Sequence, residues 1–123
     1  MSWSRIMRYQ ILVHEGVFDA VVCDIRELKG RHGSMVCIDF RLDPDESGPI
    51  LVAGVANRKL SSCTKLGRWV KAILGRMLEV GEAVTSEDLL WKQCRVVIKH
   101  RKTPDGHMTY ASVAKVLAPA APF

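Results

Sequence analysis

Four cysteines (Cys23, Cys37, Cys63, Cys94) and four histidines (His14, His32, His100, His107) are the side chains of this sequence best suited to hold a transition metal. Structural zinc sites take their ligands in pairs a few residues apart, because one short turn must present two of them to the same ion. Here consecutive cysteines lie 14, 26 and 31 residues apart, and no histidine completes a motif. That spacing predicts no metal centre and no disulfide, with each thiol used as a small apolar side chain in a reduced compartment. The acidic cluster Asp43, Asp45 and Glu46 lies in a turn beside Pro44 and Gly48 and lacks the spacing and terminal glutamate of a calcium loop. No Ser/His/Asp or Cys/His set has local support, and no glycine-rich phosphate loop is present. The expectation is a protein with no cofactor that is not an enzyme.

The basic residues remain. The net charge is +5, unevenly spread: residues 1–56 hold six Lys/Arg and eight Asp/Glu, whereas residues 57–123 hold twelve and five. Such asymmetry marks a polyanion-facing side, most often one that meets nucleic acid.

The elements that must position these charges follow from the apolar spacing. With 123 residues, 48% hydrophobic and 25% charged, the chain is one domain with enough core to fold without staples. Gly16 opens a strand over Val17–Arg26, apolar at both parities near its start, as in a strand buried on both faces or bent between two sheets. A loop over Glu27–Gly33 follows. Strand two, Ser34–Leu42, alternates cleanly, with Val36, Ile38, Phe40 and Leu42 inward. The Asp43–Pro49 turn leads to strand three, Ile50–Ala56. The period then becomes helical: Leu66, Trp69, Val70, Ile73, Leu74, Met77 and Leu78 form one stripe, with Ser61 or Ser62 as cap and Gly75 able to end the helix at Leu74. Thr85–Asp88 resembles a capping box for a helical turn. Period two returns in Cys94–His100, and a hairpin turn at Lys102–Gly106 leads to strand five, Met108–Leu117. Residues 1–15 read as an N-terminal arm or extra edge strand, 16–118 as the domain and 119–123 as a proline-rich tail.

The order β-β-β-α-β-β is that of the OB-fold, a partly open, five-stranded Greek-key barrel with its helix between strands three and four. The segments EGVFDAVVCDI, GSMVCIDFRL leading into GPILVAGVAN, SSCTKLGRWVKAILGRML, EDLLWKQCRVVIKH and YASVAKVL, over residues 15–118, resemble the small OB-fold proteins of phage and prophage genomes that bind single-stranded DNA. In place of the glycine expected before the lysine that precedes strand four stands Trp91. The resemblance implies a nucleic-acid-binding module, for single-stranded DNA rather than RNA, in phage or prophage replication or recombination. It brings no catalytic residues.

Such barrels bind across strands two and three, between the loops joining strands one to two and four to five. Lys29, Arg31 and His32 stand in the first loop and His100, Arg101, Lys102 and His107 in the second, with Arg41 between them. Arg58, Lys59, Arg95 and Lys99 extend the basic set, and Tyr110 and Trp91 are the aromatic platforms. Arg58, Lys59, Lys65, Arg68, Lys71 and Arg76 form a second basic group around the helix, read as its solvated face, as an extension of the nucleic-acid path or as a docking face for an acidic partner. The competing reading is a protein-interaction module, a subunit of a larger complex or an inhibitor of a host system. It is favoured by the scarcity of aromatics on strands two and three and by Trp91, Met35 and the N-terminal arm as an interface or a self-association surface. No stretch reaches the roughly 18 apolar residues of a membrane span, and MSWSRIMRYQ lacks the apolar core of a secretory signal. The expected location is the cytoplasm, bacterial or that of the host of a phage.

Overall fold

The computed structural model describes residues 13–30, 33–43, 48–58, 64–79 and 81–120. In chain order these form β1 (Gly16–Gly30), β2 (Gly33–Leu42), β3 (Ile50–Asn57), α1 (Lys65–Leu74), α2 (Ser86–Leu89), β4 (Gln93–Lys102) and β5 (Thr109–Leu117). All strand pairs are antiparallel, in the order β3-β2-β1-β4-β5. Of the expected N-terminal arm, only Val13, His14 and Glu15 are described. Val13 is buried, its carbonyl accepts from His100 Nε2 at 2.8 Å, and the Glu15 carboxylate accepts the His100 N–H at 2.8 Å.

β1 departs from its expected limits. It runs on to Gly30, so the loop expected over Glu27–Gly33 is mostly ladder: Glu27, Leu28 and Lys29 pair with Val36, Met35 and Ser34. Gly30 and Gly33 face each other across the turn, and Gly33 holds a φ of 111° that only glycine adopts readily. The two glycines therefore close a tight hairpin rather than punctuate a loop, and ladder hydrogen bonds outweigh the weak strand preference of Glu and Lys.

A bulge at Cys23, between the Val22/Phe40 and Asp24/Asp39 pairs, switches the inward parity of β1, although Val17, before it, remains exposed. Before it Ala20 and Val22 point inward; after it Ile25, opposite Ile38, packs against the core. The shift lets one strand pair with β4 over Gly16–Val21 and with β2 over Ala20–Gly30.

The inward rows of β2 and β4 are as their alternation predicts: Val36, Ile38, Phe40 and Leu42, and Cys94, Val96 and Ile98, are all buried. α1 starts at Thr64, whose hydroxyl accepts the Gly67 N–H at 3.1 Å, and not at Ser61 or Ser62, which lie outside the described residues. It ends where Gly75 takes a left-handed φ of 73° and donates to Lys71 O at 2.9 Å. Beyond it, Arg76 forks onto Glu82 at 3.0 and 2.6 Å while the Glu79 N–H adds a third bond to that carboxylate, which holds the Glu82 carboxyl down to about 2.

β3 and β5 are the two edges of the sheet. The sheet curls until they approach, and Trp69 of α1 lies against both. A Cβ added at Gly54 of β3 would stand 2.7 Å from the Trp69 ring and 3.2 Å from Val113 Cβ of β5. Trp69 is 3% exposed and meets Phe40 edge-on, with ring centroids 6.2 Å apart. Lys65 Nζ sits 4.9 Å above the Trp69 ring and donates to Val55 O at 3.0 Å, satisfying a carbonyl of the β3 edge. Among the described residues no helix is long and apolar enough to cross a membrane.

Trp91 is the one described residue other than glycine with a left-handed backbone (φ 66°). Its N–H donates to Val22 O at 2.7 Å while its side chain is 68% exposed. A left-handed conformation costs an L-residue about 1–2 kcal/mol. Glycine avoids that cost but loses about 0.4–1 kcal/mol through a freer unfolded chain. Trp91→Gly is therefore expected to stabilise the protein, by about 0.5–1 kcal/mol. A urea melt checks this; a loss of stability would mean that the indole makes contacts worth more than the strain.

Candidate functional site

Strand register sorts the expected site residues into separate groups. β1 pairs with β4 at its start and with β2 at its end, so the β1–β2 turn and the β4–β5 turn lie off opposite ends of β1. Lys29 stands in the ladder beside the first turn, and Arg101 and Lys102 in the ladder beside the second. Trp91 precedes β4, at the far end of that strand from Arg101 and Tyr110, which face each other across the β4–β5 ladder. Arg31, His32 and Lys59 lie outside the described residues, as does most of the Asp43–Pro49 turn.

Two of the expected arginines are neutralised. Arg41 lies 3.7 Å from Asp43, and Arg58, just past β3, lies 3.3 Å from Glu27 of β1. The outward face of β1, β2 and β3 is not basic either. Its centre is an acid–thiol–arginine cluster: Arg26 donates to Asp39 at 3.1 and 3.2 Å and to Cys37 Sγ at 3.4 Å, and it lies 3.7 Å from Asp24. Burial, then the Asp39 charge, raises the pKa of both the Cys37 and Cys23 thiols. Around that cluster the face is aliphatic, with Leu28, Leu51 and Val55 exposed. A phosphate backbone laid across this surface would meet carboxylates and methyl groups.

The unneutralised cations are elsewhere. The outward row of β4 carries Arg95, Val97, Lys99 and Arg101; opposite them, in that order, β5 presents Leu117, Lys115, Ser112 and Tyr110. Arg95 Nε donates to Ala118 O at 2.9 Å, and Lys99 lies within electrostatic reach of Glu15. Among the described residues, Arg101, Lys102 and Lys115 form no ion pair. Tyr110 is half exposed beside Arg101, so this hairpin joins cations to an aromatic face. Alongside, α1 packs against β5, and a cleft of about 500 Å³ opens between them, bordered by Lys65, Arg68, Arg101 and Lys115. Burial, and secondarily the Arg101 charge, lowers the Lys65 pKa.

The basic surface thus runs along β4, β5 and the start of α1 instead of across β2 and β3. Sequence reasoning named Lys65 and Arg68 as part of the helix group but passed over Lys115. Its outward parity was legible in YASVAKVL; its approach to α1 was not, because that depends on how the sheet curls. Among the described residues no cluster of His, Cys, Asp or Glu has the make-up of a metal site, and Cys23, Cys37 and Cys94 are free thiols. Set against models of known protein families and against curated proteins, the sequence matches none.

Proposed function

We propose that this protein is an OB-type barrel that binds single-stranded nucleic acid, DNA in preference to RNA, through its phosphates. The OB assignment is supported by the strand order, by β1 serving both β2 and β4, and by α1 lying between β3 and β4 in sequence and across the seam between β3 and β5 in space. The observation that carries the binding reading is the sorting of charge. Arg26, Arg41, Arg58 and Arg76 are each paired with a carboxylate, whereas Arg68, Lys71, Arg95, Lys99, Arg101, Lys102 and Lys115 of α1, β4 and β5 form no ion pair among the described residues, with Lys29 and Lys92 the unpaired cations outside those elements. Unpaired cations grouped on one side of a fold are the footprint of a polyanion partner. The resemblance of its segments to phage and prophage proteins supports a role in replication or recombination, and no catalytic step is required of it.

The test is a titration of fluorescent oligo-dT and a matched duplex at two salt concentrations. The expected result is single-strand binding that weakens steeply with salt and depends little on base sequence, because phosphate contacts position a ligand without reading it. Tyr110→Ala is expected to cost about 1–3 kcal/mol of affinity, the worth of one stacked base. Trp91→Gly, at the other end of β4, is expected to leave affinity unchanged. Absence of single-strand binding at low salt would remove this reading.

The second reading, a protein-interaction module serving as a complex subunit or an inhibitor of a host system, rests on the aliphatic outward face of β1–β3. Leu28, Leu51 and Val55 stand there around the Arg26–Asp39 pair. Under that reading Leu51→Glu disturbs assembly and leaves oligo-dT affinity alone.

A further inference from the structure

The cleft between α1 and β5 combines two independent features that ask for the same thing. Lys65, Arg68, Arg101 and Lys115 border one space of about 500 Å³ whose other lining residues are Trp69 and uncharged residues of β5, with no carboxylate among them. Separately, the first turn of α1 has no acidic residue and instead carries Lys65 and Arg68. The N-terminus of a helix bears a partial positive charge and is stabilised by anions, so cations there are of the wrong sign for the helix on its own.

We infer that the α1–β5 cleft is a polyphosphate site, built to take two adjacent phosphate groups, with Arg68 and Lys115 on either wall, Arg101 at one end and the α1 N-terminus behind. Burial, and secondarily the Arg101 charge, lowers the basicity of Lys65, and an anion in the cleft would favour its charged form. Lys65 is already committed to Val55 O and to the Trp69 ring, so it supplies charge from behind while Arg68, Arg101 and Lys115 are free to contact the ligand. Arginine forks onto two phosphate oxygens at once, and a lysine opposite adds a point charge. Two phosphates can come from successive links of a nucleic-acid strand or from a free polyphosphate. The strand source rests on the proposed function; the cleft stands on its own geometry.

The full chain is titrated calorimetrically with inorganic pyrophosphate at low salt, beside the double variant Arg68→Glu/Lys115→Glu and the control Lys92→Glu, whose lysine is exposed at the opposite end of β4. Saturable one-to-one binding is expected, weakened at least tenfold by the double variant and less than twofold by the control. The double variant places an acid in the first turn of α1, so its thermal midpoint without ligand should be no lower than that of the wild type, which separates lost binding from lost folding. No saturable binding, or equal weakening by the control, overturns the site. Competition then identifies the source. Displacement of oligo-dT by pyrophosphate, with a log affinity–log salt slope shallower by about 1.4 in the double variant, supports a strand backbone. Pyrophosphate binding without oligo-dT binding keeps the cleft as a site for free polyphosphate and removes the nucleic-acid reading. Oligo-dT binding with an unchanged slope and no pyrophosphate binding removes the cleft and leaves the nucleic-acid reading in place.

Discussion

Trp69→Ala is expected to lower the free energy of unfolding by about 3–5 kcal/mol, the usual cost of deleting a buried aromatic from a packed core. A domain of this size has only about 5–15 kcal/mol in total, so the variant should melt near or below physiological temperature. The indole packs into the seam from α1: it lies over Gly54 of β3 and beside Val113 of β5, and it meets Phe40 edge-on. Removing it opens a cavity where the two sheet edges are not joined by hydrogen bonds. The reciprocal change is equally informative. Gly54→Ala adds one methyl group 2.7 Å from the ring and 3.2 Å from Val113 Cβ, and should cost about 1–3 kcal/mol by overpacking although alanine is the better residue for most backbones. Urea melts of both variants check this. A neutral Gly54→Ala would mean that Trp69 is not held against β3.

The second large effect concerns a thiol. Burial among apolar neighbours on β4 pushes the Cys94 pKa up to about 12. From an ordinary value of 9.0 that is about a thousandfold less thiolate near neutral pH, and thiolate is the species that alkylates. In the folded protein iodoacetamide should therefore label Cys94 at least about a thousandfold more slowly than in urea. Among the described thiols Cys23, only partly buried at the β1 bulge, should label first, and peptide mass spectrometry of timed samples reads both. Cys94 labelled as fast as Cys23 under native conditions would place β4 outside a stable core.

Strands two and four were legible because their alternation survives folding unchanged: one face of each is buried, and a period of two has only one way to satisfy that. The α1 stripe was legible for the same reason, and Gly75 ends the helix because no other residue takes that left-handed turn as cheaply. β1 was legible as a bent strand serving two partners, but neither its bulge nor its length was. Its bulge at Cys23 moves apolar residues between parities, and Gly30 and Gly33 form a hairpin instead of a loop. The basic residues were legible as a set but not as a site. Arg41 and Arg58 look the same in sequence as Arg68 and Arg101. Asp43, two residues on, pairs with Arg41, but only the tertiary approach of Glu27 removes Arg58, and only the packing of α1 on β5 brings the others together.

The double service of β1 has a consequence for how fast the chain folds. The β1–β2, β2–β3 and β4–β5 pairs join neighbours along the chain, and each closes over a short turn. The β1–β4 ladder instead joins Gly16 to Ile98 and Val21 to Gln93, across four elements. Loop-closure entropy must be spent before such a contact returns anything, so this junction is the slow step and the last to zip. Conservative truncations there, at Val17 or Val97, will speed unfolding and leave the folding rate nearly untouched, whereas truncations inside the β1–β2 hairpin will slow folding itself. The bulge that allows one strand two partners thereby divides the domain into a hairpin-built half that forms early and a closing half that decides how long the native state lasts.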